Sequence, residues 1–257
     1  MRRIFTRFTL LLLLVGACYA GWTWRDRIFS LTETLFPPPG SSEPTPDPET
    51  YTVLSDDLEA HRKRLGQRYL QASSETARIE ILAQARDLLE MSLPRLMRCW
   101  LGTPWDFNGT AHEPGAGKVA CGYFVSSVLQ DAGFRVEWAP LAQQASQNIL
   151  GTFIPSDKMK IRVGMDYHQF LSEVESSGTG VYIVGLDSHV AFLVVTSGGE
   201  IRFIHSSGAS PYCVIDESRE EARVLRSSNY RVTGNLTASK DVIRNWLLGE
   251  KFKTRTL

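Results

Sequence analysis

The stretch GVYIVGLDSHVAFLVVTSGGEIRFIHSS, residues 180–207, decides the fold class. Gly180–Leu186 and His189–Val195 are runs of valine, isoleucine, leucine and aromatics, too short for helices and rich in residues that suit a pleated surface. Ser197-Gly198-Gly199-Glu200 supplies a hairpin turn, and Ile201–Ser207 reads as the third strand. Consecutive strands joined by such short turns pair antiparallel. Downstream, Tyr212–Ile215 and Tyr230–Leu236 extend the sheet, and Lys240–Leu248 closes the chain with a helix.

Upstream of the strands the pattern is helical. Ser55, followed by Asp56 and Asp57, has the character of a helix cap with acidic residues in the first turn, and the helix runs to about Gln71. A second begins near Ser74, with Ile79, Leu82, Ala85 and Leu89 on its inward stripe. Arg62, Lys63, Arg64, Arg78 and Arg86 are left to face water, and Pro94 opens a short helix through Trp100. GTPWDFNGTAHEPGAGKVA is a glycine-rich loop that delivers the chain to Cys121, the first residue of the helix CGYFVSSVLQDAGF. Further helices are expected around Leu141–Leu150 and Tyr167–Val174. Helices first and strands later is an α+β order, with helices packed on a small antiparallel sheet.

A chain of 257 residues, 43% of them hydrophobic, supports one sizeable core with length to spare. The 28 basic and 28 acidic residues cancel, so no broad positive field exists to hold nucleic acid, and that partner is excluded. The four cysteines form no CxxC pair, and no HExxH helix or phosphate loop appears, so neither a metal nor another cofactor is implied. Cys99 and Cys213 are open to two readings, a disulfide formed after export or two buried thiols.

The N-terminus carries Arg2, Arg3 and Arg7, then an apolar run from Phe8 to Val15, then Gly16 and Ala17. That is the order of a secretory signal. Val15-Gly16-Ala17-Cys18 resembles a bacterial lipobox, which makes residues 1–17 a signal peptide and Cys18 the lipidation site. The alternative is an uncleaved anchor helix. Residues 18–54 then hold the lipid anchor and a proline-rich tether, Phe36–Thr50, on the order of 45 Å long in polyproline geometry. Residues 55–98 form a helical extension and 99–257 the catalytic domain. An envelope location on the periplasmic side is expected, with the outer membrane favoured because Tyr19, not aspartate, follows Cys18.

Three residues carry the chemistry. Cys121 begins a helix, where unpaired N–H groups lower a thiol pKa and can receive an oxyanion. His189 opens a strand after a turn, from which an imidazole can project toward that helix as a base. His205, on the neighbouring strand, is placed to hold the other ring nitrogen of His189. Trp105, Asp106 and Asn108 border the expected cleft, and Gly122 supplies an oxyanion N–H; turn chemistry alone also explains Asp106 and Asn108. A turn role is the reading of Asp187.

GTPWDFNG, ACGYFVSSVLQDAGF, HVAFLVV and FIHSSGA together resemble the NlpC-type cell-wall peptidases of the papain-like superfamily. The resemblance implies hydrolysis of an amide in murein stem peptides through an acyl-enzyme at Cys121, with His189 and His205, no cofactor, peptidoglycan as partner and a monomeric chain. The usual Asp-Cys-Ser-Gly context reads Ala120-Cys121-Gly122-Tyr123, and the family's tyrosine falls on Trp105, which implies a divergent branch. An acyltransferase or amidase acting on a lipid or small amide, and an inactive binding lipoprotein, are the competing readings.

Overall fold

The computed structural model describes residues 44–256. They form one unit of α+β architecture: helices α1 (Pro48–Gln71), α2 (Glu75–Arg98), α3 (Cys121–Asp131), α4 (Trp138–Ala142) and α5 (Ser146–Phe153) precede most of the sheet. Then come β1 (Lys160–Val163), α6 (Tyr167–Ser176), β2 (Gly180–Leu186), β3 (Val190–Val195), β4 (Ile201–Ser206) and β5 (Val214–Ser218). The chain ends with α7 (Arg223–Ser227), β6 (Tyr230–Asn235) and α8 (Lys240–Leu248). The six strands lie in the order β1-β6-β2-β3-β4-β5, every neighbouring pair antiparallel. The expected signal sequence, the expected lipidation site Cys18 and the first part of the expected tether lie outside the described residues. Among the described residues, no helix is long and apolar enough to cross a membrane.

Side chains alternate across the strands and so feed two cores. Val190, Phe192, Val194 and Ile204 face the larger one, where Phe124 of α3 meets Phe192 edge-on at 5.9 Å. Ala191, Leu193, Val195 and Phe203 face a smaller core closed by Tyr167, Phe170, Leu171 and Val174 of α6. Tyr51, Leu58, Ile81, Ala85 and Leu89 of the first two helices belong to the larger core. The expected boundary at residue 98 is therefore not a packing boundary.

Several local expectations change. The first helix starts at Pro48, capped by the Asp47 carboxylate on the Thr50 N–H, so the end of the proline-rich stretch is helix and not tether. Proline at the first helical position loses nothing, because that N–H has no intrahelical partner. Pro94 lies inside a helix that continues to Arg98; the bond it forfeits is outweighed by the burial of Leu93, Leu96 and Met97 around it. Ile79 is half exposed while Ile81 takes the inward place.

Arg62 does not face water. It is 4% exposed, with Nε and Nη2 on the Glu59 carboxylate and Nη1 on the carbonyls of Trp246 and Leu247 at the C-terminus of α8. The Trp246 carbonyl also accepts from the capping Gly249 N–H, and a cation at this end opposes the helix dipole. The expected helix from Leu141 to Leu150 is two, α4 and α5, broken at Gln143–Ala145. Cys99, Cys121 and Cys213 are not joined in disulfides.

Candidate active site

Cys121 is the first residue of α3, and the chain enters it extended at Ala120. The loop before it is pinned to the sheet: the Ser206 hydroxyl donates to the Val119 carbonyl at 2.7 Å, and Trp105 bridges to Val119. The sulfur, half-buried, has the N–H groups of Val190, Gly122 and its own residue close enough to favour its ionised form. Val190 follows His189 in the chain, so the sulfur sits at the open end of β3, beside the backbone that carries the imidazole.

Gly122 explains itself sterically. A Cβ there would lie 2.2 Å from the Ala142 carbonyl oxygen, so only glycine lets the start of α3 approach the end of α4 this closely. Glycine at this position is thus a packing requirement of this chain.

The histidines are brought together as expected. His189 Nε2 lies 2.8 Å from His205 Nδ1. His205, with no exposed surface, continues the chain through Nε2 to Glu217 Oε2 at 3.0 Å. Sequence reading missed Glu217. It ended the fifth strand at Ile215, whereas β5 runs to Ser218 and pairs Glu217 with Phe203, one alternate position from His205. Alternation along VIDES was the available signal, but the loop from Ser207 to Cys213 hides the register.

Burial drives the titration of these groups. It lowers His189 to about 3, with the charge of His205 adding to the effect, and lowers His205 to about 3. It raises Glu217 to about 7, assisted by the Glu221 carboxylate and opposed by Arg223. Both rings are therefore neutral at pH 7, each with one N–H. When Glu217 is ionised it can only accept, so His205 carries its proton on Nε2 and presents Nδ1 as acceptor. His189 then donates from Nε2, which leaves its Nδ1 lone pair unprotonated.

Two expectations fail in detail. The thiol pKa is raised, not lowered: desolvation outweighs the three main-chain hydrogen bonds that favour the thiolate. The rings also lie on the smaller-core side, with His189 6.4 Å and His205 4.2 Å from the Phe203 ring, whereas α3 packs on the opposite face. Sulfur and imidazole reach the open end of β3 from the two faces of the sheet, and among the described residues no hydrogen bond joins Sγ to either ring.

Trp105 is half-buried, and its indole packs against Gly208 and lies 6.3 Å from the Tyr212 ring. Tyr212 is exposed beside it, and Phe107, two residues further along the loop, is exposed as well. Asp106 is occupied by its own turn, accepting from the Asn108 N–H and pairing with Lys118 at 3.2 Å. Asn108 is exposed on that turn. The Asp187 carboxylate accepts from the N–H groups of Asn229 and Tyr230 and from the Ser228 hydroxyl, tying the β2–β3 turn to the entry of β6. No group of three or more histidine, cysteine or acidic side chains suited to a metal occurs among the described residues. Comparison with protein-family models, with curated proteins and with solved structures finds no match.

Proposed function

We propose that this chain is a cysteine hydrolase of papain-like, NlpC type, exported and lipid-anchored at Cys18, that cleaves amide bonds in peptidoglycan stem peptides. The observation that carries the reading is the placement of Cys121: a sulfur at the first residue of a buried helix, near the main-chain N–H of Val190, beside the strand end that bears a hydrogen-bonded histidine pair.

In this reading the resting site is a neutral thiol next to neutral imidazoles. His189 Nδ1 takes the Sγ proton as sulfur attacks the substrate carbonyl carbon, and the N–H groups of Cys121 and Gly122 receive the oxyanion. The C–N bond then breaks, and the leaving amine takes the proton from His189. Water, deprotonated by the same nitrogen, hydrolyses the thioester and restores the thiol. The transfer needs Nδ1 within hydrogen-bond reach of Sγ, a contact that this reading assigns to the substrate-bound enzyme. Trp105, Phe107 and Tyr212 offer an apolar wall for the peptide.

A second reading, a binding protein that keeps the fold without turnover, is favoured by the raised thiol pKa and by the absence of a sulfur–imidazole bond. Incubating the protein with murein sacculi and separating the released fragments decides between the two. New amine termini from the wild type and none from Cys121→Ala are expected for the hydrolase. Equal product from both forms refutes nucleophilic catalysis at Cys121, and no product from either, with retained binding to sacculi, establishes the second reading.

A further inference from the structure

Glu217 stands at the far end of the chain Glu217–His205–His189, and its distance of 3.0 Å from His205 Nε2 means that one proton, not two and not none, lies between them. We propose that Glu217 is a positioning residue that sets which nitrogen of His189 carries the proton, turning the base on when its carboxyl is ionised and off when it is protonated. The catalytic consequence rests on the hydrolase reading; the proton arrangement does not.

The logic follows from donor and acceptor inventory alone. With a carboxylate at 217, both rings carry hydrogen on Nε2 and Nδ1 of His189 is a lone pair. With a carboxylic acid, the O–H donates to His205 Nε2. His205 then carries its proton on Nδ1 and donates to His189 Nε2, so His189 holds its own proton on Nδ1. The whole change takes up one proton from solvent, and it converts Nδ1 of His189 from acceptor to donor. A neutral imidazole with hydrogen on Nδ1 cannot remove the thiol proton.

The surroundings make Glu217 the group that titrates. Both rings are buried, and burial holds their protonation down to about 3, below the range in question. Glu217 is raised to about 7, with Glu221 acting to keep it neutral and Arg223 to ionise it. Other charges near this face are committed elsewhere: on α6, Glu173 pairs with Arg162 and Glu175 with Arg219, and on β5 Asp216 pairs with Arg202 and Arg98. Asp187 is held by main-chain N–H groups.

Long-range nitrogen–proton spectra of the full chain, labelled with 15N at histidine, read the tautomers directly and need no substrate. At pH 8.5 both His189 and His205 are expected as Nε2–H tautomers, and at pH 5.5 both as Nδ1–H, the change centred at about 7. In Glu217→Gln the change with pH is expected to vanish. Tautomers that are the same at both pH values in the wild type overturn the proposal, as does a switch that persists in Glu217→Gln. The wild-type comparison stands even where the variant does not fold. A failure to digest sacculi would sink the hydrolase reading while leaving these spectra untouched.

Discussion

The two faces of the sheet solve the burial problem by different chemistry. The larger face is almost wholly apolar, an aromatic and aliphatic layer in which Trp100, Phe124 and Phe192 meet edge to face. The smaller face buries charge. Arg231, 2% exposed, donates to the carbonyls of Leu225, Met165 and Arg226 and lies 5.0 Å from the Phe170 ring. Arg162 is buried beside it, bonded to Glu173 and Thr233. The histidine chain belongs to this second face. The difference teaches that the sheet separates two tasks: one side fixes Cys121 by packing, the other holds charged and polar groups by hydrogen bonds, and Cys121 and the histidine pair meet where both sides end, at the mouth of β3.

Mutations on each side should fail in different ways. Phe124→Ala, on the apolar face, is expected to cost about 3–5 kcal/mol of unfolding free energy, the range for deleting a buried phenylalanine. Urea denaturation reads it, and a loss under 1 kcal/mol would show that the layer repacks. Arg231→Met keeps the stem but strands three carbonyls, and a loss of about 2–3 kcal/mol is expected from unsatisfied buried acceptors. An unchanged midpoint would mean that water replaces the guanidinium.

Gly122→Ala is expected to cost about 1–3 kcal/mol as a backbone clash forces α3 from α4. Its distinguishing sign is a change in the alkylation rate of Cys121 with no change in the tautomers of His189. The smallest effect concerns pH. His205 has a folded-state pKa of about 3 against an ordinary 6.5, so its contribution to stability is present above 6.5 and is lost as pH falls toward 3. Glu217 has the opposite sign: its contribution is present below 4.5 and is lost as pH rises through about 7. Between pH 6.5 and 4.5 the stability of His205→Asn should therefore fall less steeply on acidification than that of the wild type. Parallel slopes would mean that the imidazole is protonated within the fold.

The apolar face was legible and the charged face was not. Strands β2, β3 and β4 and helix α3 declare themselves through runs and stripes of valine, leucine and phenylalanine, so the sheet order around Cys121 and the pairing of His189 with His205 follow from alternation and one hairpin turn. Where the buried side chain is charged, the same rules mislead. Lys160–Val163 shows Ile161 and Val163 to solvent and hides Arg162, the inverse of an ordinary strand, and it was missed. Arg62 reads as a water-facing residue for the same reason, and Glu217 lies beyond the end of a predicted strand whose polar residues resemble a loop. A carboxylate or guanidinium is buried only when its partners are in place, and those partners come from distant segments that local pattern cannot see. The thiol pKa belongs to this class too: the helix start was visible, but the desolvation that overrides it was not.

The guanidinium of Arg62 has a consequence for synthesis on the ribosome. Its carbonyl acceptors are 184 and 185 residues further along. Until the last helix has left the exit tunnel and formed, Nη1 of that cation lacks these acceptors and stays hydrated, so the final seat of the amino-terminal helix pair is incomplete. Truncating the chain before Trp246 should accordingly leave a product whose first helices dock loosely, because the clasp that joins its beginning to its end has nothing to grip.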